Sequence, residues 1–435
     1  MNNEELRRNK YRRKKAMLRK VQNKMGVAFF VIILVLFALA VRILLINYNH
    51  GEAYSKTVLD HQSYTSTTIP YKRGQIQDAN GTVLAYSERV YNLILDPKLI
   101  LSDEKYKEPT LTALTECFDL KRSDLESILA TKSTSQYEKL LKELTKDEIS
   151  EFESRVEDTK NNPYIKGVWF EDSYIRKYPF STLAADVIGF ASAANGGELG
   201  LENYYDEELS GTDGISYSYV GENLDVETQE KKAEDGYNLV TTIDYKVQSI
   251  IENKIKELNA ERPSKSTAVI AMNPKTGEIL AMASYPTFNL NNPRDLSGVY
   301  TQEELSTMTD IEMTNAMYAL WSNYCVSTIY EPGSTFKPFT VAEGLEEGVI
   351  HDGDTFYCGG FMEVSGSIIN CHEHSGHGTV TVKEGLIQSC NPTMMQIAAK
   401  LGGVKIAKYE ALFGFGNRTG IDLPGEEAGL TIGEK

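Results

Sequence analysis

The feature that most constrains this chain is a basic segment followed directly by an uncharged apolar run near its start. Lysines and arginines crowd Arg7–Lys24, and the apolar run then extends over Met25–Ile46, interrupted only by Arg42. About 20 apolar residues suffice for one helical crossing of a bilayer, and an excess of positive charge marks the cytoplasmic flank. We therefore expect a cytoplasmic tail at 1–24, a transmembrane helix at 25–46 and an extracytoplasmic remainder.

A cleaved signal peptide is the alternative interpretation, because Ala38-Leu39-Ala40 resembles a small-residue cleavage site. The length of the basic segment and the continuation of the apolar run beyond Ala40 favour an uncleaved anchor. The protein is then expected to be a single-pass protein of the cell membrane, with its basic tail close to anionic lipid headgroups.

Charge is distributed very unevenly along the chain. Residues 1–25 carry ten Lys/Arg and two Glu, a net charge of +8, so that the rest of the 435-residue chain carries −24. An outer part this acidic excludes nucleic acid as an expected partner, because phosphate neutralisation needs a cationic surface. A hydrophobic content of 41% excludes wholesale disorder, and the length suggests two or three domains.

The periodicity of apolar residues predicts an α+β protein. Residues 73–85 read as a hairpin around Asn80-Gly81, 211–235 as an exposed hairpin or loop, and 267–284 as a further hairpin. Asp244 is expected to cap a helix over Tyr245–Asn259. Further helices are expected at 301–322, 335–347, 381–400 and 403–413, and in 101–160, where helical spacing is assigned to Leu111, Leu114, Leu125, Ile128, Leu129, Leu140 and Leu141.

The sharpest chemical signal is the segment Glu331-Pro332-Gly333-Ser334-Thr335-Phe336-Lys337. Pro-Gly interrupts the chain, Ser334 opens a helix, and Lys337 follows three residues later on the same helix face. A serine hydroxyl is a weak nucleophile unless a neighbouring base removes its proton, and burial can lower the pKa of a lysine so that it serves as that base. Ser102 and Lys105 have the same spacing, but in an acidic stretch that we interpret as solvated surface.

A second element, Ser389-Cys390-Asn391, lies 55 residues beyond Ser334. Its hydroxyl could relay a proton, and its amide could hold a substrate carbonyl or the lysine. Taken alone it could equally be an ordinary turn at a helix end. Together with Ser334 and Lys337, its order and spacing match the Ser-x-x-Lys and Ser-x-Asn motifs of penicillin-binding proteins and serine β-lactamases.

The chain resembles the class B penicillin-binding proteins, the monofunctional peptidoglycan D,D-transpeptidases. Shorter matches to this family follow in the expected order, at Arg73–Gly81, Arg176–Pro179, Val187–Phe190, Gly200–Asp206 and Thr241–Asp244. The resemblance implies an elongated pedestal or dimerisation domain at 47–255 and a transpeptidase domain, similar to serine β-lactamases, at 256–435.

The same resemblance implies the roles of the site residues. Ser334 would be acylated by a D-Ala-D-Ala stem peptide, Lys337 would be its base, and Ser389 and Asn391 would take the roles of the second motif. An amine of a second stem peptide would resolve the acyl-enzyme, and β-lactams would acylate the same serine. The family also implies a polytopic glycosyltransferase as a membrane partner.

One departure from the family concerns its third motif, Lys-Thr/Ser-Gly, which should follow the second. Lys275-Thr276-Gly277 spells it but precedes Ser334 and reads as a hairpin turn. We therefore expect the chain to be C-terminally truncated and inactive as it stands. A non-catalytic β-lactam-binding or scaffolding protein is the alternative function, and a sensor or β-lactamase relative is a third.

A cluster of cysteines and histidines lies between the two motifs. Two thiolates and two imidazoles suit a closed tetrahedral zinc site, and the candidate ligands are Cys358, Cys371, His374 and His377. A disulfide between Cys358 and Cys371 is also open, because the extracytoplasmic location permits it, and so is neither arrangement. Catalysis by serine requires no cofactor, so that any zinc here would be structural.

Overall fold

The computed structural model describes residues 34, 37–39, 41–42, 63–192, 196–220 and 226–431. The tail predicted at 1–24 and most of the transmembrane helix predicted at 25–46 lie outside these residues, and the few positions described within 25–46 are helical. In the described part of the chain, no helix combines the length and the apolar character that a bilayer crossing needs.

Strands and helices alternate irregularly along the described chain, as the predicted α+β class requires. The strands are β1 (Ser63–Ile69), β2 (Ile76–Gln77), β3 (Val83–Leu95), β4 (Glu138–Leu144), β5 (Val168–Lys177), β6 (Ala191–Ser192), β7 (Gly196–Gly197), β8 (Gly214–Val220), β9 (Val226–Lys231), β10 (Leu239–Val240), β11 (Thr267–Met272), β12 (Ile279–Tyr285), β13 (Thr355–Cys358), β14 (Phe361–Val364), β15 (Ser367–Asn370) and β16 (Gly378–Thr381). The helices are α1 (Pro97–Ile100), α2 (Glu104–Cys117), α3 (Arg122–Thr131), α4 (Lys146–Glu157), α5 (Ala185–Ile188), α6 (Gly200–Tyr204), α7 (Asp206–Leu209), α8 (Tyr245–Glu261), α9 (Gln302–Thr307), α10 (Asp310–Trp321), α11 (Tyr324–Ser327), α12 (Lys337–Glu346), α13 (Val382–Ile387), α14 (Asn391–Leu401) and α15 (Gly403–Leu412).

The smaller of two compact units comprises Met1–Ile69 and Asp213–Ala233. Its described strands form an antiparallel sheet in the order β1-β8-β9. β8 and β9 are consecutive and antiparallel, which agrees with a hairpin, one of the two alternatives for 211–235.

The larger unit comprises Pro70–Thr212 and Glu234–Lys435. One of its sheets has the order β10-β2-β3-β4, and β5 also pairs with β3. β2 and β3 are antiparallel and joined by the turn at Asn80-Gly81, where the Asp78 carboxylate accepts hydrogen bonds from the N–H groups of Asn80 and Thr82 at 2.9 and 2.6 Å. The Asn-Gly pair therefore predicted this hairpin correctly.

β3 runs through two hydrophobic cores. Near its start, Leu84 and Ala85 pack in a core with α5, α6 and residues of the hairpin β11–β12. Near its end, Leu93 and Leu95 pack in a second core, beneath α2, α3 and α4. A single strand of 13 residues thus contributes to both cores.

The helical assignment of Leu140 and Leu141 is wrong. Both residues lie in β4, where Leu141 pairs with Leu93 of β3. Two adjacent leucines fit either a helix or a half-buried strand, and pairing with a long neighbouring strand decides between them. The flanking helices α2, α3 and α4 are where the helical spacing predicts helices.

The helix predicted after Asp244 is confirmed and continues to Glu261 as α8. The Asp244 carboxylate caps it by accepting hydrogen bonds from the N–H groups of Lys246 and Val247. Within the helix, the Gln248 amide donates to the carbonyl of Met282 at 2.8 Å and accepts from its N–H at 2.9 Å. This pair of hydrogen bonds fastens α8 to the middle of β12, whose hairpin with β11 is also as predicted.

A buried ionic network holds α6 against the sheet. Glu202 is fully buried, and its carboxylate accepts hydrogen bonds from Arg73 Nε at 2.7 Å and from Arg176 Nε at 2.6 Å. The hydroxyl of Tyr178 donates to the same carboxylate at 3.2 Å, and Asp206 contacts Arg73 at 2.6 Å. Removing one member of such a network leaves buried charges without partners, which is far more costly than losing an exposed ion pair.

We expect the substitution Glu202→Gln to lower the free energy of unfolding by about 3–5 kcal/mol, because two buried guanidinium groups then lose their shared counter-charge. Urea unfolding of the purified protein measures this change. Glu126→Gln is the matched control: Glu126 pairs with Arg122 on the exposed surface of α3, and its loss should cost under about 1 kcal/mol. Equal effects of the two substitutions would contradict the analysis.

A second buried acid lies where α5 meets β12. Asp186 is 9% exposed, and its Oδ2 has no hydrogen-bond partner among the described residues. Burial raises the pKa of Asp186 to about 6, although hydrogen bonds from Ser284 and from the start of α5 oppose the shift. Nearby, burial also raises the pKa of Glu252, which accepts a hydrogen bond from the N–H of Ala184 at 2.7 Å.

Because the pKa of Asp186 is raised on folding, its protonated form stabilises the folded state. This stabilisation is complete below the ordinary pKa of an aspartate and is lost as the pH rises through about 6. We expect Asp186→Asn to raise the free energy of unfolding at pH 8 by on the order of 2–3 kcal/mol and to have little effect at pH 4. The measurement is urea unfolding at both pH values. Asp352→Asn, at an exposed position, should change neither, and a pH-independent effect of Asp186→Asn would contradict the assignment.

Candidate active site

The segment around Ser334 forms a 3₁₀ turn that leads directly into α12. The turn covers Gly333–Phe336, and Gly333 has a φ of 59°, in the left-handed region that favours glycine. Ser334 is exposed. Lys337, the first residue of α12, has its N–H bonded to the carbonyl of Ser334, so that the two residues lie three positions apart on one turn.

The second motif, Ser389-Cys390-Asn391, lies at the junction of two helices. α13 ends at Ile387, and α14 begins at Asn391 with Pro392 in its first turn. Ser389 has a φ of 50°, which is uncommon for a residue with a side chain. The single helix expected over 381–400 is therefore interrupted at the second motif.

The amine of Lys337 joins the two motifs. Lys337 Nζ donates hydrogen bonds to the carbonyl oxygen of Ser389 at 2.6 Å, to Ser389 Oγ at 2.9 Å and to Asn391 Oδ1 at 2.7 Å. Within the described part of the chain these are the hydrogen bonds of the amine, and Ser334 is not among its partners. Segments more than 50 residues apart therefore meet at one nitrogen atom.

Burial lowers the pKa of Lys337, while the nearby thiols of Cys371 and Cys390 act in the opposite direction. A lowered pKa increases the fraction of neutral amine, which is the form that accepts a proton. The side chain of Asn391 is fixed from its other end, because its Nδ2 donates to the carbonyl of Asn370 at 2.9 Å.

Two further motif matches in the sequence, Ser102/Lys105 and Lys275-Thr276-Gly277, lie at the exposed surface. Ser102 Oγ donates to the carbonyl of Leu99, and Lys105 pairs with Asp103 in solvent, so that the second Ser-x-x-Lys match is surface, as predicted. Lys275-Thr276-Gly277 forms the exposed turn between β11 and β12, as its Asn-Pro context indicated.

Three thiols and one imidazole form a compact group that includes Cys390 of the second motif. The donor atoms of the Cys₃His group lie within 4.8 Å of one another, and the group consists of Cys358, Cys371, Cys390 and His377. His377 Nδ1 lies 3.6 Å from the sulfurs of both Cys358 and Cys371. The three cysteines are buried and unbridged. Burial raises the pKa of the Cys358 thiol, but hydrogen bonds from His377 and Gly360 outweigh it and leave that pKa lowered.

The group differs from the set expected from the sequence in one ligand. His374 is exposed and lies outside it, and Cys390 occupies the fourth position. Spacing along the chain favoured His374 because it is close to Cys371 and His377. The sequence does contain a signal for Cys390, since it is a further cysteine and lies between Ser389 and Asn391 of the second motif. Sequence analysis favoured a packing role for it instead.

Two family profiles of penicillin-binding proteins match the chain, one in each half. A family profile described as "Penicillin binding protein transpeptidase domain" matches residues 267–434, and one described as "Penicillin-binding Protein dimerisation domain" matches residues 68–241. Together they cover most of the chain.

Among curated proteins, the chain is similar to Stage V sporulation protein D of Bacillus subtilis, with 32% identity over 376 residues, which are 84% of this chain and 53% of that protein. It is also similar to peptidoglycan D,D-transpeptidase MrdA of Escherichia coli K12, with 26% identity over 389 residues, 83% of this chain and 58% of that protein. The chain thus spans rather more than half the length of the curated relatives it matches.

Solved structures share the fold. Penicillin Binding Protein 2X from Streptococcus thermophilus superposes with a TM-score of 0.68 at 24% identity, over 85% of this chain and 55% of that one. A complex between Penicillin-Binding Protein (PBP2) and MreC from Helicobacter pylori gives a TM-score of 0.62 at 21% identity, over 84% and 68%.

The unbridged state of the buried cysteines is directly testable. We expect alkylation in denaturant and chelator, without reductant, to modify all five cysteines, because the structure contains five free thiols. Mass spectrometry of the intact protein counts the adducts, and a sample reduced beforehand is the control. Three adducts and a peptide joining Cys358 to Cys371 would instead support the disulfide alternative.

Proposed function

The chain belongs to the class B penicillin-binding proteins, which combine a dimerisation domain with a transpeptidase domain, and from this membership we propose that it is a serine-type peptidoglycan D,D-transpeptidase. Its substrates would be D-Ala-D-Ala stem peptides, and β-lactams would react at the same serine. The pedestal domain is assigned to 47–255 and the transpeptidase domain to 256–435.

The observation that carries this proposal is the position of the Lys337 amine. Lys337 follows the exposed Ser334 by three residues on one turn. Its partly buried amine has a lowered pKa and is held by a hydroxyl and an amide of the second motif. A nucleophile, a base and groups that orient the base are what acyl transfer through serine requires.

In the proposed reaction, Lys337 accepts the proton of Ser334 as the hydroxyl oxygen attacks the carbonyl of the penultimate D-Ala. The positive end of the α12 dipole lies beside Ser334 and favours the developing oxyanion. The amide bond then breaks, and the terminal D-Ala leaves as an amine that receives the proton. The ester on Ser334 is resolved by an amine of a second stem peptide, whose proton passes to the base, and the free serine is restored.

Ser389 and Asn391 have supporting roles in this scheme. Ser389 Oγ, 2.9 Å from Lys337 Nζ, can carry the proton between the amine and the leaving group. Asn391 holds the amine through Oδ1 and is itself oriented by the hairpin β14–β15 through the carbonyl of Asn370. No step of the scheme uses a cofactor.

The proposal includes a location and a partner. The basic tail and apolar run in the first 46 residues support a single-pass anchor in the cell membrane with an extracytoplasmic catalytic domain. A polytopic glycosyltransferase is the proposed membrane partner, on the family's analogy. That one protein of the same fold has been solved in complex with MreC supports a protein partner in general.

We expect a fluorescent penicillin to label the full-length protein and Ser334→Ala to abolish the label, because the substitution removes the acylated oxygen. Gel fluorescence after a fixed incubation measures labelling. Ser102→Ala is the matched control, since Ser102 has the same Ser-x-x-Lys spacing at the surface, and it should label as the unmodified protein does. Labelling that survives Ser334→Ala would remove Ser334 from its assigned role, and labelling without turnover of stem peptides would support the non-catalytic alternative.

A further inference from the structure

We propose that the outer face of the hairpin β14–β15 binds the second stem peptide, the acyl acceptor, by its protonated amine and by the aliphatic chain that carries this amine. The outer face is defined by four residues, which are Phe361, Glu363, Ile368 and Asn370. The inference deepens the proposed function and rests on it, because the acceptor is the molecule whose amine resolves the acyl-enzyme.

A tight turn determines which side chains of the hairpin share a face. Ser365 and Gly366 connect the two strands, and their φ angles are 48° and 84°. Positive φ at both central residues is what a type I′ turn requires, and this turn matches the twist of antiparallel strands. The register of the hairpin is therefore fixed, and a slip by one residue, which would exchange the two faces, is disfavoured.

The members of the outer face follow from this register. Phe361 lies opposite Asn370, and Glu363 lies opposite Ile368. Directly opposed residues of an antiparallel pair lie on the same face, and every second residue of a strand returns to that face. Phe361 is 56% exposed and Ile368 is 65% exposed, whereas Met362 on the opposite face is half-buried. Two large apolar side chains thus share one small solvent-facing surface, a pattern typical of binding surfaces.

The outer face carries one negative charge beside its two apolar side chains. Glu363 is exposed, lies opposite Ile368 and is two residues from Phe361 on the same strand. Its carboxylate forms no hydrogen bond or ion pair within the described part of the chain. An aliphatic chain that ends in an ammonium group fits this arrangement, because its methylene groups can lie on the apolar side chains while the charge meets the carboxylate.

The sign of this charge favours the acceptor over the donor. In the proposed reaction the donor peptide presents its D-Ala-D-Ala terminus, which ends in a carboxylate that Glu363 would repel. The acceptor presents an amine, which is protonated at neutral pH and is attracted by Glu363. A surface that attracts one substrate and repels the other discriminates between them by both effects.

The outer face adjoins the candidate active site. Asn391 accepts a hydrogen bond from Lys337 Nζ through Oδ1 at 2.7 Å and donates through Nδ2 to the carbonyl of Asn370 at 2.9 Å. One amide side chain therefore separates the amine of Lys337 from the near end of the outer face. Glu363 belongs to the next pair along this face, about 7 Å farther at a rise of about 3.4 Å per residue. A peptide extended along the hairpin can thus reach from Glu363 to the site.

The chemical step balances without a further reactant. On leaving Glu363 the ammonium group releases one proton to solvent, and its nitrogen attacks the carbonyl carbon of the ester on Ser334. A new amide bond forms as the ester bond breaks. A second proton passes from the nitrogen through Lys337 to the serine oxygen, and free Ser334 is restored.

The acceptor dependence of cross-linking tests the role of Glu363. The donor is a D-Ala-D-Ala stem peptide with its own amine acetylated, the acceptor is a stem peptide with a lysine side chain, and mass spectrometry measures cross-linked and hydrolysed products. We expect Glu363→Gln to raise the KM for the acceptor about fivefold, as the loss of an exposed ion pair does, and Glu363→Lys to raise it further. Glu303→Gln, which neutralises an exposed carboxylate on α9, is the matched control. An equal acceptor KM in all four proteins would overturn the inference.

Salt dependence separates binding of the amine from a structural effect. An exposed ion pair is screened as the ionic strength rises, so that the difference in acceptor KM between the unmodified protein and Glu363→Gln should disappear at about 0.5 M salt. A difference that persists there would indicate a structural role and overturn the inference. A parallel loss of the rate of acylation by penicillin in Glu363→Gln would do the same.

The apolar part of the outer face has its own variants. Phe361→Ala and Ile368→Ala should each raise the acceptor KM about 3- to 10-fold, because the aliphatic chain loses apolar contact, and Phe361→Tyr should retain the contact and the KM. Ile311→Ala, which removes a side chain that is 74% exposed on α10, is the matched control. A rise in the donor KM instead would assign the face to the donor, and no change in either KM would assign it to another partner. Both outcomes overturn the inference.

Binding without catalysis distinguishes failure of the inference from failure of the proposed function. Fluorescence anisotropy of a dye-labelled stem peptide with a lysine side chain measures its dissociation constant, which Glu363→Gln should raise as it raises the KM. In a protein that penicillin labels at Ser334, a dissociation constant independent of Glu363 would overturn the inference alone. In a protein that no penicillin labels, an affinity that depends on Glu363 would support the binding face and overturn the proposed function.

Discussion

The candidate site depends on one amine and the three oxygen atoms that surround it. Lys337 Nζ is bonded to Ser389 and Asn391, and without these contacts α12 and the junction of α13 and α14 would share a core but no site. Much of the local structure serves this meeting: Gly333 and Ser389 both adopt a positive φ, and the 3₁₀ turn places the serine ahead of the regular helix. At Ser389, where a positive φ is strained, the hydrogen bonds from the Lys337 amine to its carbonyl and hydroxyl oppose that strain.

Charge is also buried around Glu202, where it is compensated in a different way. Around Glu202, the guanidinium groups of Arg73 and Arg176 share one carboxylate, and Asp206 supplies a second one to Arg73. Each charge therefore has a counter-charge, and the network connects α6 to the sheet. At Lys337 the hydrogen-bond acceptors of the amine are neutral oxygens, and burial lowers its pKa. The contrast between a compensated and an uncompensated buried charge separates a structural network from a candidate catalytic one.

Sequence patterns predicted the elements that local signals determine. The Asn80-Gly81 turn, the Asp244 cap and the hairpin β11–β12 each depend on a few neighbouring residues, and all three are present. The assignments that differ were decided by distant parts of the chain. Leu140 and Leu141 lie in β4, which pairs with β3, and Cys390 lies beside Cys358 and Cys371, which come from other loops. Spacing favoured His374 as a ligand because it is close in sequence to Cys371 and His377. Closeness in sequence does not determine which side chains meet in the folded protein, and His374 is exposed. The resemblance to penicillin-binding proteins suggested residues for the site, but the bonding of the Lys337 amine to the second motif instead of Ser334 required coordinates.

The 13-residue strand β3 has a consequence for how the larger unit comes apart. Leu84 and Leu93 belong to different cores but lie on the same strand, β3, whose residues Tyr86–Leu95 pair with β5. Loss of either core would therefore weaken a strand to which the other core also contributes. The two cores are therefore thermodynamically coupled, and partial opening of one half is disfavoured more than its own contacts would suggest. Through β3, a disturbance of the core beneath α2, α3 and α4 would therefore reach the core that contains α5, α6 and residues of the hairpin β11–β12.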